Sequence, residues 1–389
     1  MSTVEIRLFR LFALSTCCAS CTPASLATDA GEPRNTSAFD GSGDVNVVDR
    51  SPDGAAGPRC TSSVLTGGGG SGGSGCASYD VACFACNGPY DASAPMFPSP
   101  ECLDGMCLTT LASGQMEPSS IAVDSMGVYW TTAAAFPTSV LTVPLDGGSP
   151  VAIASGLSYP VGLAVDSSGV YWSTLDGALA RAPLDGGTPV MLASGQNNIS
   201  ALAIDSTNLY WGEGSCDGGA IMKMALDGGA PIVLASLSSW SPTDIAVDST
   251  SVYWSNRIDG TVMKEPINGG TPSALATQQI WAEGIAVDGT SAYWTANCSV
   301  MKVALDGGTP VSLASIGTLE GPVAVLGSNV YFTSDLGPAQ GDGVFSVPSA
   351  GGAMTTLALS MYNAFGFGVD ATSVYWVTGQ GSVVKLTPP

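Results

Sequence analysis

The chain has 389 residues, with 50 Gly, 25 Pro, only 11% charged residues and a formal net charge of −21. That acidity argues against nucleic acid and anionic membrane surfaces as partners, because both would repel it. Histidine is absent throughout, which removes the commonest general acid–base and the commonest metal ligand and lowers the expectation of an enzyme.

Residues 1–21 read as an export signal, with Arg7 and Arg10, the apolar run Leu11-Phe12-Ala13-Leu14 and then small residues. Leu14-Ser15-Thr16-Cys17 resembles a bacterial lipoprotein box, which implies lipidation of Cys17; Cys21, after Ala19-Ser20, is the second candidate, and an ordinary cleaved signal is the alternative. Beyond this segment no stretch of apolar residues is long enough for a transmembrane helix. Residues 22–75, ending in Gly67-Gly68-Gly69-Gly70-Ser71-Gly72-Gly73-Ser74-Gly75, have little to bury and are expected to act as a disordered, flexible tether.

Six cysteines follow closely: Cys60, Cys76, Cys83, Cys86, Cys102 and Cys107. Four thiolates from this set would suit zinc. In an exported chain disulfides are the preferred reading, because a small Cys-rich stem (76–107) cannot build an adequate core without staples. The pairing is open.

Within the expected propeller domain, residues 108–389, one block recurs seven times between about residue 120 and the C-terminus. Its clearest copy is Gly162-Leu163-Ala164-Val165-Asp166, a turn, Val170-Tyr171-Trp172, a loop, and Leu184-Asp185-Gly186-Gly187. The aromatic after Tyr returns at Trp130, Trp172, Trp211, Trp254, Trp294, Phe332 and Trp376, a period of about 40 residues that marks a repeat architecture. Each unit offers four strand-length apolar runs, the cue for a propeller blade. The last copy lacks a fourth run, and residues 108–113 match the missing template. The expected fold is therefore all-β, a seven-bladed propeller closed by an N-terminal strand that leaves no open edge.

Most of the propeller's charge belongs to this repeat. Asp124, Asp166, Asp205, Asp248, Asp288 and Asp370 follow the first strand, and Asp146, Asp185, Asp227 and Asp306 precede Gly-Gly. Asp at such places bonds the backbone two residues on, so turn capping is expected. A ring of Ca2+ ligands is the competing reading of the first six. Cys216 and Cys298 lie in loops of non-adjacent blades and are expected to be separate thiols.

The order Pro160-Val161-Gly162-Leu163-Ala164-Val165-Asp166, Val170-Tyr171-Trp172, Leu184-Asp185-Gly186-Gly187 resembles the YWTD repeats of lipoprotein-receptor propellers and their NHL-type bacterial relatives. The stem Cys102-Leu103-Asp104-Gly105-Met106-Cys107 before such repeats resembles predicted myxobacterial surface lipoproteins. The resemblance implies ligand or protein binding. It departs in blade number, since those propellers usually have six blades. It departs also in motif: Thr131, Ser173, Gly212, Ser255 and Thr295 follow the aromatic pair, without the closing Asp.

Subtracting the repeat exposes a small remainder. Trp240 and Trp281 are the only tryptophans outside it, and Arg257 is the only propeller base not at the third-strand position shared by Arg181, Lys223, Lys264, Lys302 and Lys385. All three fall in loops of blades four and five, on the face formed by second-to-third and blade-to-blade connections. Trp and Arg are the residues most enriched at binding hot spots. Asn256, Asp259, Gln278, Gln279 and Glu283 lie nearby, with Tyr159 and Tyr362 in equivalent loops. The bland alternative is that the tryptophans plug the channel mouth and Arg257 pairs with Asp259.

The expected function is non-catalytic binding of a protein, peptide or glycan by a monomeric, exported, envelope-tethered propeller without a cofactor. The alternatives are a Ca2+-dependent, lactonase-like hydrolase drawing on Asn197, Asn256, Asn297, Glu213 and Glu283, and a purely structural envelope protein. A streptogramin-lyase role is disfavoured, because that family uses a catalytic His.

Overall fold

The computed structural model describes residues 101–103, 106–133, 138–215, 218–237, 242–296, 298–315, 321–335, 342–359 and 364–388. The export signal, the tether, most of the stem, Trp240, Tyr362, Cys216 and Asn297 lie outside them, as do Cys17, Cys21, Cys60, Cys76, Cys83 and Cys86.

Seven antiparallel sheets form seven blades. Blade four shows the plan: Asp244–Val247 innermost, then Ser251–Asn256, Thr261–Pro266 and the outer strand Ser273–Ala276. The other blades span 118–157, 160–193, 202–237, 285–315 and 323–359. Blade seven takes Ala364–Val369, Val374–Thr378 and Val383–Thr387 from the C-terminus and Met106–Ala112 from the N-terminal side as its outer strand. Leu108 opposes Leu386 and Thr110 opposes Val384, so the strand expected from residues 108–113 closes the ring. A further short strand, Glu101–Leu103, pairs with it and sets Cys102 opposite Cys107.

The Tyr-Trp pair explains how blades stack. Neighbouring residues of a strand point to opposite faces, so each second strand gives Tyr to one interface and the following aromatic to the other. Seven cores result, each made from the Tyr of one blade and the large aromatic of the next: Tyr129 with Trp172, Tyr171 with Trp211, Tyr210 with Trp254, Tyr253 with Trp294, Tyr293 with Phe332, Tyr331 with Trp376, and Tyr375 with Trp130. The last pair joins blade seven to blade one. All these rings are buried, and burying each large apolar side chain contributes roughly 1.5–3 kcal/mol.

One face of the ring is fixed by a second recurring device. Asp248 Oδ1 accepts the Thr250 and Ser251 amides (2.7 and 2.8 Å), while Oδ2 accepts the Tyr253 hydroxyl (2.8 Å). Asp205, Asp288 and Asp370 repeat both halves of the pattern with Tyr210, Tyr293 and Tyr375. Asp124 and Asp166 bond their turn amides likewise. Burial alone would raise these carboxyls; for Asp205, Asp248, Asp288 and Asp370 the donors outweigh it and hold them below the usual value. Desolvation, reinforced by the Asp partner, pushes the Tyr129 and Tyr253 hydroxyls up to about 12. The turn-capping reading of the six Asp is therefore the observed one.

The third-strand bases complete this face. Lys264 lies over the Tyr253 ring (5.5 Å) and donates to the Leu305 carbonyl of blade five (3.0 Å). Lys223 reaches Ile267, Lys302 reaches Ser349, Arg181 reaches Leu226, and Lys385 reaches Leu145 of blade one. Each base staples its blade to the next one. Blades one and six carry Thr142 and Ser346 opposite their Tyr instead. The hairpin receiving each staple needs positive φ, and its glycines supply it, as at Gly307 (99°) and Gly308 (135°).

Every blade also has a register shift between its third and outer strands, as at Val262/Met263 and Val300/Met301. Such bulges twist the outer edge and discourage edge-to-edge pairing.

Candidate functional site

The opposite face is built from second-to-third loops and blade-to-blade connections, which bond to one another. The Gln279 amide donates to the Gly260 carbonyl (2.8 Å), Gln196 to Gly177 (3.0 Å), Gln115 to Gly381 (2.9 Å) and Leu175 to Tyr159 (3.0 Å). These bonds place the two loop classes on one surface, as the blade pattern predicts.

Among the described residues, four first strands are approached through a residue in the left-handed region. Glu117, Tyr159, Asn198 and Trp281 stand seven residues before their strand-ending Asp, with φ of 46°, 49°, 45° and 61°. Only Asn suits that conformation well; Tyr and Trp are uncommon there. The backbone of the repeat thus requires this conformation, and the side chain displayed from it is a free choice.

At Trp281 the choice creates a cluster. The Arg257 guanidinium lies 4.5 Å from the Trp281 ring centroid and its Nη1 is 2.6 Å from Glu283 Oε1. Their side chains are 32% and 13% exposed, so the ion pair is partly desolvated and stronger than an open surface pair. Its backbone is anchored on both sides. The Arg257 amide donates to Thr243 Oγ1 (3.1 Å), the Glu283 amide to the Thr295 carbonyl (3.0 Å), and the Ser255 hydroxyl to the Glu283 carbonyl. Gln279 Oε1 accepts the indole N–H of buried Trp294 (3.1 Å), tying the loop to the core.

Of the residues singled out from sequence, Arg257, Trp281 and Glu283 come together. Asn256 is buried beside them, but its amide donates to Thr261 Oγ1 (2.9 Å) and serves the loop. Asp259 and Gln278 are exposed in the same pair of loops. Tyr159 is 41% exposed at the equivalent connection between blades one and two, apart from the cluster. Glu213 accepts the Trp211 indole N–H (3.0 Å). Cys298 is a half-buried thiol. Among the described residues, no group of three or more His, Cys, Asp or Glu side chains is placed to hold a metal ion.

Sequence reasoning missed the apolar side chains around the cluster. Ile258 is 63% exposed and Ile280 56%, one on each loop beside Arg257 and Trp281. Met116 and Leu175 are exposed in the corresponding loops of blades one and two. A usable signal existed: Met116 and Ile280 each stand eight residues before a strand-ending Asp, and Trp240 and Tyr362 hold that same place in the sequence.

No family model and no curated protein matches the sequence. Many solved structures resemble the fold. A catalytically inactive histidine-to-alanine variant of virginiamycin B lyase from Staphylococcus aureus, with quinupristin, is 14% identical with a TM-score of 0.59, covering 73% of this chain and 100% of its own. The WD40 β-propeller domain of Doa1 is 12% identical with a TM-score of 0.57, covering 72% and 96%. An oligogalacturonate lyase in complex with manganese is 12% identical with a TM-score of 0.55, covering 73% and 94%. At such identities the likeness is one of fold.

Proposed function

We propose that this protein is a non-catalytic binding propeller that takes a protein, peptide or glycan on its loop face. The observation that carries the reading is the Arg257–Trp281–Glu283 cluster, assembled from two loops at positions the repeat does not prescribe. A stacked, partly desolvated Arg beside an aromatic is the composition of a binding hot spot. The rest of the proposal extends the sequence: an exported chain, lipidated at Cys17 or Cys21, holding a monomeric propeller off the cell envelope by its Gly/Ser tether. A Cys102–Cys107 disulfide fits the cross-strand register, because directly opposed Cα atoms lie within disulfide range.

The hydrolase alternative has less to build on, since Glu213, Glu283 and Asn256 are engaged in packing the loops. The variant lyase is inactive without one histidine, and this chain has none. Peptide and glycan arrays probed with the wild-type chain and with Trp281→Ala and Arg257→Ala test the binding reading. Hits that disappear in both variants, with unfolding midpoints retained, support it; hits equally strong in all three would sink the site. A calcium-induced rise in unfolding temperature would favour the hydrolase.

A further inference from the structure

We infer that the partner received by the loop face is a polypeptide segment both apolar and cationic. This rests on the loop face being the binding face and names what it selects.

Apart from Met126 in the Asp124 turn of the opposite face, the exposed large apolar side chains fall into two groups. One lies on outer strands at recurring places, as with Val151, Val190, Ile232 and Val311, and belongs to the repeat. The other lies on the loop face: Met116, Tyr159, Leu175, Ile258 and Ile280. Folding explains the first group, because an outer strand must have one side facing water. It does not explain the second, whose loops have no strand periodicity to satisfy. Among the described residues, counting back seven or eight residues from the strand-ending Asp finds a large apolar or aromatic residue at Met116, at Tyr159, and at Ile280 with Trp281. The loops otherwise differ in length and sequence, so this apolar collar of described side chains persists where the backbone plan leaves the side chain open. Isolated surface hydrophobics need no explanation, but an apolar set gathered on one face marks an interaction surface.

The charge around the collar gives the partner its sign. Glu117, Asp176, Glu213, Asp244, Asp259 and Glu283 are acids of the described loop face, and Asp335 and Asp342 flank blade six's second-to-third loop, against one base, Arg257. Arg257 is held by Glu283 at 2.6 Å, so its charge is spent within the surface. The whole chain carries −21. A field of this sign speeds encounter with cations and repels acidic partners. Apolar collar and acidic surround together fit a segment in which Lys or Arg alternates with large apolar residues.

Fluorescence anisotropy with labelled peptides about twelve residues long tests this. One carries Leu and Lys, a second Leu and Ser, a third Leu and Glu, and a fourth Lys with Ser in place of Leu. The Leu/Lys peptide is expected to bind at least ~10-fold more tightly than each of the others, and less tightly as salt rises through about 0.15 M. The Ile258→Ser/Ile280→Ser double variant should lose ~10-fold of that affinity. Asp176→Lys/Asp259→Lys should do the same, while Asp146→Lys/Asp306→Lys, an equal charge change on the opposite face, should alter it less than about 2-fold. Unchanged unfolding midpoints confirm that each variant is folded. If the Leu/Glu or Leu/Ser peptide binds as tightly, and the Ser double variant still weakens it, the cationic requirement is overturned while the binding face stands. Binding indifferent to every loop-face variant overturns both. No binding by any of the four peptides at about 1 mM overturns the polypeptide assignment, and the glycan array then bears on the binding face alone.

Discussion

On the face of the ring that carries the strand-ending Asp turns and the Gly-Gly hairpins, the same side chains meet the same partners blade after blade. Asp248 caps its turn and holds Tyr253, Lys264 lies over that ring, and its ammonium reaches blade five. Asp288, Tyr293 and Lys302 do the same one blade on. On the opposite face the main-chain bonds recur, but the side chains change from Glu117 to Tyr159, Asn198 and Trp281 at one backbone position. The contrast separates residues chosen to hold the ring from residues displayed by it. It also gives charge two meanings: Asp205 and Asp370 are half-buried under amides and hydroxyls, whereas Asp176, which accepts the Thr174 hydroxyl, and Asp259 are exposed to solvent.

Substitutions at chemically matched residues on the two sides test that separation. The largest effect is expected for the tryptophans. Trp254→Ala, at 0% exposure, should cost about 3–5 kcal/mol. Trp281→Ala, in a half-exposed loop, should cost about 1 kcal/mol or less, the worth of the stack on Arg257. Urea unfolding of both variants measures the gap; equal losses would erase the distinction. Next, Asp248→Ala orphans two turn amides and the Tyr253 hydroxyl and should cost roughly 2–3 kcal/mol, against less than about 0.5 for Asp259→Ala.

The same contacts predict the pH profile. The depressed carboxyls of Asp205, Asp248, Asp288 and Asp370 contribute stability that is full above the unfolded value of about 3.9 and lost as pH falls through their folded values. The raised hydroxyls of Tyr129 and Tyr253, at about 12, contribute stability that is full below the unfolded value of about 10 and lost as pH climbs toward 12. Unfolding midpoints should therefore form a plateau from about pH 5 to 9 with both limbs falling, and Asp248→Asn should shallow the acid limb. A midpoint constant down to about pH 2.5 would contradict this.

The smallest expected effect is a gain. Glu265 is 0% exposed, its Oε1 accepts the Gly270 amide (3.0 Å), and its Oε2 has no hydrogen-bond partner. Burial raises its carboxyl, so the ionised form weighs against folding at neutral pH. Glu265→Val should stabilise by about 1 kcal/mol at pH 7 and less near pH 3, where the carboxyl is protonated in both states. Differential scanning calorimetry at the two pH values reads it; destabilisation at pH 7 would mean the Gly270 bond outweighs the desolvation.

Seven blades, the closing strand, the Asp turns and the Tyr-Trp cores were legible because each recurs at a fixed spacing and answers a local need. The third-strand bases were visible as a column, yet their purpose was not: Lys264 reaches a carbonyl 41 residues away and Lys385 one 240 residues away, and only the closed ring brings those groups together. Glu265 could have been found, since Val143, Met224, Val303 and Val347 hold its place in other blades and a lone acid in an apolar column is a signal. Arg257, Trp281 and Glu283 emerged by subtraction, but the pairing with Glu283 depends on how two loops from successive blades fold back. Ile258 and Leu175 carried no sequence signal; an exposed aliphatic in a loop reads like any other until its face is known.

The central claim is that the exposed apolar side chains of the loop face do not hold the ring. The most direct test is the unfolding free energy in urea of one variant with Ser at Met116, Tyr159, Ile258 and Ile280, beside the wild-type chain. The predicted result is a difference within about 0.5 kcal/mol, as for exposed positions outside any core. A loss of about 3 kcal/mol or more, comparable to removing a buried aromatic, would place those side chains among the elements that build the propeller and contradict the account.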